Sequence, residues 1–206
     1  MHIARRAIAI LTVALFPAAL IAQSSTGMHY GLVGGLNMSS MTDMGSTSMH
    51  PGFAIGLYAR RALNDTWALQ VEGHYSGKGV EVKESGVTAK LEMDYFELPM
   101  LLRASMSGTE KTHAFFDIGA APAFKSGCSV SASGGGATVG IGCNGGTESF
   151  DLGAIGGLGL AFPIGERMMT GSVRYTFGML NVNKDAGADT PAVHHRNLQF
   201  LFSFPF

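Results

Sequence analysis

Charge is scarce in this chain. Only 14% of the 206 residues are Asp, Glu, Lys or Arg, against roughly 25% in an ordinary soluble domain. Neither sign dominates. Fourteen Lys+Arg oppose fifteen Asp+Glu, a formal net charge of -1. There is no basic stripe, so nucleic acid is excluded as a partner. Cysteine is limited to Cys128 and Cys143, and tryptophan to a single residue. No G-X-Y period runs through the chain, which excludes collagen. No Gly-x-x-x-x-Gly-Lys-Ser/Thr motif occurs, so no phosphate cradle is expected. Beyond the first 22 residues no apolar run reaches ~18 residues and no helical period is sustained, so no transmembrane helix is expected there.

What is abundant is glycine, 29 residues, and phenylalanine, 13. Low charge with many glycines and aromatics describes a chain that faces something other than water over much of its surface. The N-terminus reads as a secretory signal over residues 1–22. Arg5 and Arg6 precede an apolar stretch from Ala7 to Ala22, and polar Gln23-Ser24-Ser25 follows. The apolar stretch is shorter than the ~20 residues that a membrane-anchor helix needs. Without residues 1–22, twelve Lys+Arg remain against fifteen acids, a charge of -3. In an exported chain, a lone pair of cysteines points to a Cys128–Cys143 disulfide.

Residues 23–206 form one domain of alternating apolar and polar positions. Eight segments stand out, near 28–37, 52–63, 66–76, 90–104, 112–125, 148–162, 167–178 and 196–206. In the last, Leu198, Phe200, Phe202, Phe204 and Phe206 share one face, and Asn197, Gln199, Leu201 and Ser203 the other. In the third, Trp67, Leu69, Val71 and Tyr75 oppose Gln70, Glu72, His74 and Ser76. A soluble eight-stranded sandwich or binding barrel also alternates. Here, however, every segment carries an apolar face, the opposite face is polar or glycine, and short links alternate with long ones. The links at 64–65 and 163–166 are short; those at 38–51, 77–89, 126–147 and 179–195 are long. Together these features predict an all-β, eight-stranded antiparallel transmembrane β-barrel, an up-and-down meander with apolar side chains toward lipid. An even strand count puts both mature termini on the periplasmic side.

The fourth segment carries a conflict. Glu92 and Asp94 share a face with Phe96, Leu98, Met100 and Leu102. Either a bulge near Tyr95 or Pro99 flips the strand, or the two acids stand above the bilayer; the second is expected.

Several stretches carry a family likeness. They are Gly31-Leu-Val-Gly-Gly-Leu-Asn-Met-Ser39, Asp94-Tyr-Phe-Glu-Leu-Pro-Met-Leu-Leu-Arg103, Asp151-x-Gly-x-x-x-Gly-x-Gly159, and Arg174-Tyr175 followed by Gly178-Met-Leu-Asn181. Together they resemble the PorT-like outer-membrane β-barrel family. The Glu-Leu-Pro-Met-Leu-Leu stretch is the more specific part; the Cys-bracketed, Gly-rich 126–147 segment is a departure. The resemblance implies an outer-membrane barrel and supplies no catalytic residues. The alternate aromatics Phe200, Phe202, Phe204 and Phe206 resemble the C-terminal signal read by the barrel-assembly machinery, since an aromatic edge strand can pair with a sheet edge of an insertase.

Six charged residues should point into the lumen: Glu72, Glu97, Arg103, Asp117, Asp151 and Arg174. Buried charges need partners, so a polar network that plugs a narrow barrel is expected rather than a conductive path. Two sharper readings stand beside it. His74 and Ser76, two apart on one face, resemble the His-x-Ser of lipid A deacylases, with Glu81 or Glu84 to orient the imidazole. Met38, Met41 and Met44 with His50, joined by His194-His195, offer soft ligands suited to Cu(I). The plainer alternatives are lumen-polar residues and methionines packed over the barrel mouth. The expectation is a non-catalytic, monomeric barrel without cofactor or resident metal. Its partners are the outer-membrane bilayer, the assembly machinery and an external ligand met by its loops. A small pore or ligand-binding barrel, and then a lipid-modifying enzyme, are the alternatives.

Overall fold

The computed structural model describes residues 27–41, 47–84, 87–106, 111–134, 137–142, 148–181 and 193–206. Residues 1–22, read as a signal, lie outside it. Ten strands are described: β1 Met28–Met41, β2 Thr47–Ala62, β3 Trp67–Glu84, β4 Val87–Glu97, β5 Met100–Ser105, β6 His113–Gly134, β7 Ala137–Gly142, β8 Phe150–Ile164, β9 Arg167–Gly178 and β10 His195–Pro205. Each pairs antiparallel with its neighbours, and β10 pairs back onto β1 while β2 pairs with β3. β4 and β5 are two halves of one stave, interrupted at Leu98-Pro99 because proline has no N–H to give the ladder. The wall stays hydrogen-bonded across the gap through Leu98 N–H to Pro122 O at 2.9 Å and Glu72 N–H to Pro99 O at 2.9 Å. With β7 an extra strand outside the ring, the wall is a closed barrel of eight staves.

The register gives the stagger. Facing partners followed once around run Tyr30, Ala59, Val71, Met100, Ala120, Ala154, Phe177 and Arg196, and return to β1 at Ser40, ten residues beyond the start. A staggered eight-stranded barrel has strands tilted about 35–45° and an interior that side chains just fill. Closure removes the unpaired edges that hydrocarbon does not tolerate.

The short turns follow from local chemistry. Asn64 Oδ1 accepts the N–H groups of Thr66 and Trp67 at 2.9 and 2.8 Å. Gly165 takes φ 62°, a conformation that side-chain-bearing residues rarely adopt. These turns and Phe206 define the short-turn mouth. The opposite end differs from expectation. Segments 38–51, 77–89 and 126–147 are not simple links: pairing extends to Ser39↔His50, Glu84↔Val87 and Gly134↔Ala137. Backbone groups of a hairpin satisfy one another whatever the side chains do, so Gly- and Ser-rich strands carry little alternation to reveal them.

The conflict in the fourth segment also resolves. Glu92, Asp94 and Phe96 stay outward while Met93, Tyr95 and Glu97 are buried, so β4 does not flip. The register shift is in its partner: Asp94 faces Gly127 and Tyr95 faces Lys125, leaving Ser126 as the extra residue of β6.

The outer face is apolar in every stave, with Leu36, Phe53, Ile55, Leu69, Phe96, Ile118, Leu158 and Phe202 all exposed. The inner face holds polar groups and small apolar clusters such as Val33, Ala54, Tyr58 and Leu201. Glycine lets staves approach closely on this face. A Cβ on Gly35 would sit 1.8 Å from the Phe200 carbonyl oxygen, whereas one on Gly156, on the outer face of β8, meets nothing within 4 Å. Gly35→Ala is therefore expected to lower the yield of heat-modifiable, folded barrel on gels, and Gly156→Ala to leave it unchanged.

Candidate functional site

The lumen is the chemically rich region. β3 sends Gln70, Glu72, His74, Ser76 and Lys78 inward because strand side chains alternate with period two. β4 and β5 supply Glu97 and Arg103, β6 supplies Asp117, and β9 supplies Arg174; all are buried. Their contacts form one continuous chain. The Lys78 ammonium pairs with Glu97, whose other oxygen is 2.8 Å from His74 Nε2. His74 Nδ1 faces Glu72 at 3.6 Å. Glu72 accepts a two-pronged pair from Arg174 at 2.7 and 2.8 Å. Arg174 also approaches Asp117 at 3.4 Å. Asp117 in turn accepts Arg103 Nε and Nη2 at 2.8 and 2.9 Å. The Arg103 guanidinium lies 3.6 Å from the centre of the Phe115 ring. Fork-to-fork guanidinium–carboxylate pairs of this kind are strong and directional.

Neutral groups add to this network. Gln70 donates to Glu72 and accepts Arg60 Nε at 2.6 Å. Asn37 donates to Ser76 Oγ at 2.8 Å and accepts from Gln199 at 2.9 Å. Nearer the hairpin end, Met41, Val80, Met93, Tyr95 and Ala123 pack into a buried apolar cluster. Tyr95 Oη there lies 3.1 Å from His195 Nε2.

Five of the six charged residues singled out in the sequence therefore meet. The sixth, Asp151, is buried but outside the hydrogen-bonded chain, accepting the N–H of its own neighbour Leu152 at 2.8 Å. Lys78 and Tyr95 were missed. Lys78 falls in a stretch read as a link, yet continuing the parity of β3 by two residues would have placed it inward.

The sharper candidates come apart. His74 is held by Glu97 and Glu72, Ser76 by Asn37, and both are buried in the lumen; Glu81 instead pairs with Lys90 at 3.6 Å. Met38 is 37% exposed on the outer face and Met41 is 6% exposed inside, because residues three apart on a strand point to opposite faces. Met44 lies outside the described residues. His50 Nε2 sits 3.6 Å from Glu92, His194 stacks on Phe177, and His195 turns inward. Among the described residues no group of three or more His, Cys, Asp or Glu is placed to hold a metal. Cys128 packs against the Met93–Tyr95 cluster; the β6–β7 register is described as far as Ser129↔Gly142, and Cys143 lies outside the described residues. Phe200, Phe202, Phe204 and Phe206 are exposed on the outer face.

Comparison with known proteins adds a family. A family profile described as outer membrane protein beta-barrel domain matches residues 21–183. No curated relative matches the chain. Among solved structures, Neisserial surface protein A is 14% identical over 89% of this chain and 100% of its own, with a TM-score of 0.50. OprG from Pseudomonas aeruginosa is 16% identical over 88% of this chain and 96% of its own, also with a TM-score of 0.50. At such identities the likeness is one of fold.

Proposed function

Because the chain belongs to the outer membrane protein beta-barrel domain family and resides in the outer membrane, we propose that it is a non-catalytic integral barrel with a closed lumen, acting at the cell surface through its hairpins. The observation that carries this reading is the unbroken chain from Lys78 through Glu97, His74, Glu72, Arg174 and Asp117 to Arg103. An eight-stranded barrel leaves little lumen beyond what its side chains occupy, and the middle of this one is occupied by paired charges. Opening a path would mean separating ion pairs away from water, which is strongly unfavourable.

The short turns face the periplasm in this reading and the extended hairpins face outward, as outer-membrane barrels are generally arranged. The β6–β7 hairpin carries exposed Val139 and Ile141 beyond the ring, an apolar surface available to an external partner. The Glu97-Leu-Pro-Met-Leu-Leu102 stretch supports a place among PorT-like barrels. The burial of His74 and Ser76 supports the absence of lipid chemistry at that pair.

Planar-bilayer recording tests the closed lumen. The refolded parent is expected to give no discrete conductance steps. Steady unitary steps from folded protein would replace this reading with a small pore.

A further inference from the structure

Among the described residues, the lumen cation Arg60 is paired with a neutral group and not with a carboxylate. Among the described inward-facing side chains from the barrel's middle to the short-turn mouth, three guanidiniums, Arg60, Arg103 and Arg174, stand with two carboxylates, Glu72 and Asp117. Arg103 and Arg174 engage both acids. Arg60 has a neutral partner, the Gln70 amide oxygen at 2.6 Å. Its Nη2 is buried and makes no hydrogen bond, and the same is true of Nη1 of Arg103, a residue 3% exposed. Both arginines line one cavity of about 340 Å³ at the short-turn mouth, walled also by Tyr58, Trp67 and His113. Asp65 and Glu166 stand exposed on its rim, where water screens them. A desolvated guanidinium donor without an acceptor is strained electrostatically, and the planar fork suits carboxylate and phosphate oxygens.

We propose that this mouth binds a small free oxyanion, a carboxylate or phosphate, entering along the barrel axis and held by the guanidinium groups of Arg60 and Arg103. A pocket of this size lies at the small end of ligand sites, which limits the occupant to a compact molecule. The apolar walls at Tyr58 and Trp67 accommodate an organic body behind the anionic group. The site does not depend on whether the lumen conducts.

The test uses the full barrel refolded in a neutral detergent, with inorganic phosphate and benzoate as probes and chloride at matched ionic strength as the blank. A ligand of the folded state raises the midpoint of thermal unfolding with concentration. Either probe is expected to raise it in the parent. In Arg60→Gln, which keeps an amide near Gln70, binding is expected to weaken by about tenfold, the effect of losing one hydrogen bond to a charged group. Arg60→Lys should fall between them, and serves if the glutamine variant does not refold. No shift in the parent overturns the proposal, and so does an equal shift in the Arg60 variants. Dihexanoyl phosphatidic acid is the third probe: stabilisation by it alone, with none from inorganic phosphate, would assign the arginines to a lipid headgroup and overturn a free-solute site.

Discussion

Asp117→Ala is expected to destabilise the folded barrel by about 3–5 kcal/mol, the range for removing one partner of a buried ion pair. Asp117 is the junction of the lumen chain. It accepts two bonds from Arg103 at 2.8 and 2.9 Å and faces Arg174 at 3.4 Å. Its loss leaves the Arg103 guanidinium buried without any carboxylate, while Arg174 retains Glu72. Urea unfolding of protein refolded into detergent, followed by heat-modifiable mobility, measures the change. Asp117→Asn should be milder, since it keeps one acceptor. Combining Asp117→Ala with Arg103→Met should recover stability relative to Asp117→Ala alone, because it removes the orphaned charge as well. Asp151→Ala offers a comparison on the same face. It gives up one bond to the Leu152 N–H, and about 1 kcal/mol is expected. Equal losses at Asp117 and Asp151 would show that the chain of charges is not a connected unit.

Leu158→Arg is expected to destabilise the barrel in vesicles by about 2–4 kcal/mol, the depth-dependent penalty for an arginine on the lipid face near mid-bilayer. Leu158 lies midway along β8 and is 60% exposed, facing Phe116 on β6 and Val173 on β9. The sign of this effect separates lipid from water. On a surface that met water, the same substitution would be nearly neutral, within about 0.5 kcal/mol. A near-zero change in vesicles would place β8 outside the hydrocarbon layer.

Much of this architecture was readable in the chain. On β3 the alternation of Trp67, Leu69, Val71 and Tyr75 with Gln70, Glu72, His74 and Ser76 assigns the two faces without any structure, because a pleated strand has a strict period of two. The same rule marks Phe200, Phe202 and Phe204 on β10 as outward. It also separates Met38 from Met41, a consequence obscured by treating residues after 37 as a link. Lys78 was lost in the same way at the far end of β3. Hairpins beyond the bilayer have wet surroundings on both faces, so selection for alternation is absent there and the pattern fades.

The pairing inside the lumen was not readable. Glu72 and Arg174 are 102 positions apart, and nothing local tells an inward acid which inward base it will meet. Arg60 shows the same limit. Its parity predicts that it points inward, but its lack of a carboxylate appears only when Arg103 and Arg174 are seen to occupy both Glu72 and Asp117. Alternation, turn chemistry and the absence of apolar helices by themselves determined eight staves, their inner and outer faces, and an apolar exterior. Closure and the ten-residue stagger decided the rest. Which face a side chain takes is set by its own strand, whereas its height against residues across the lumen is set by the accumulated offset of all eight staves.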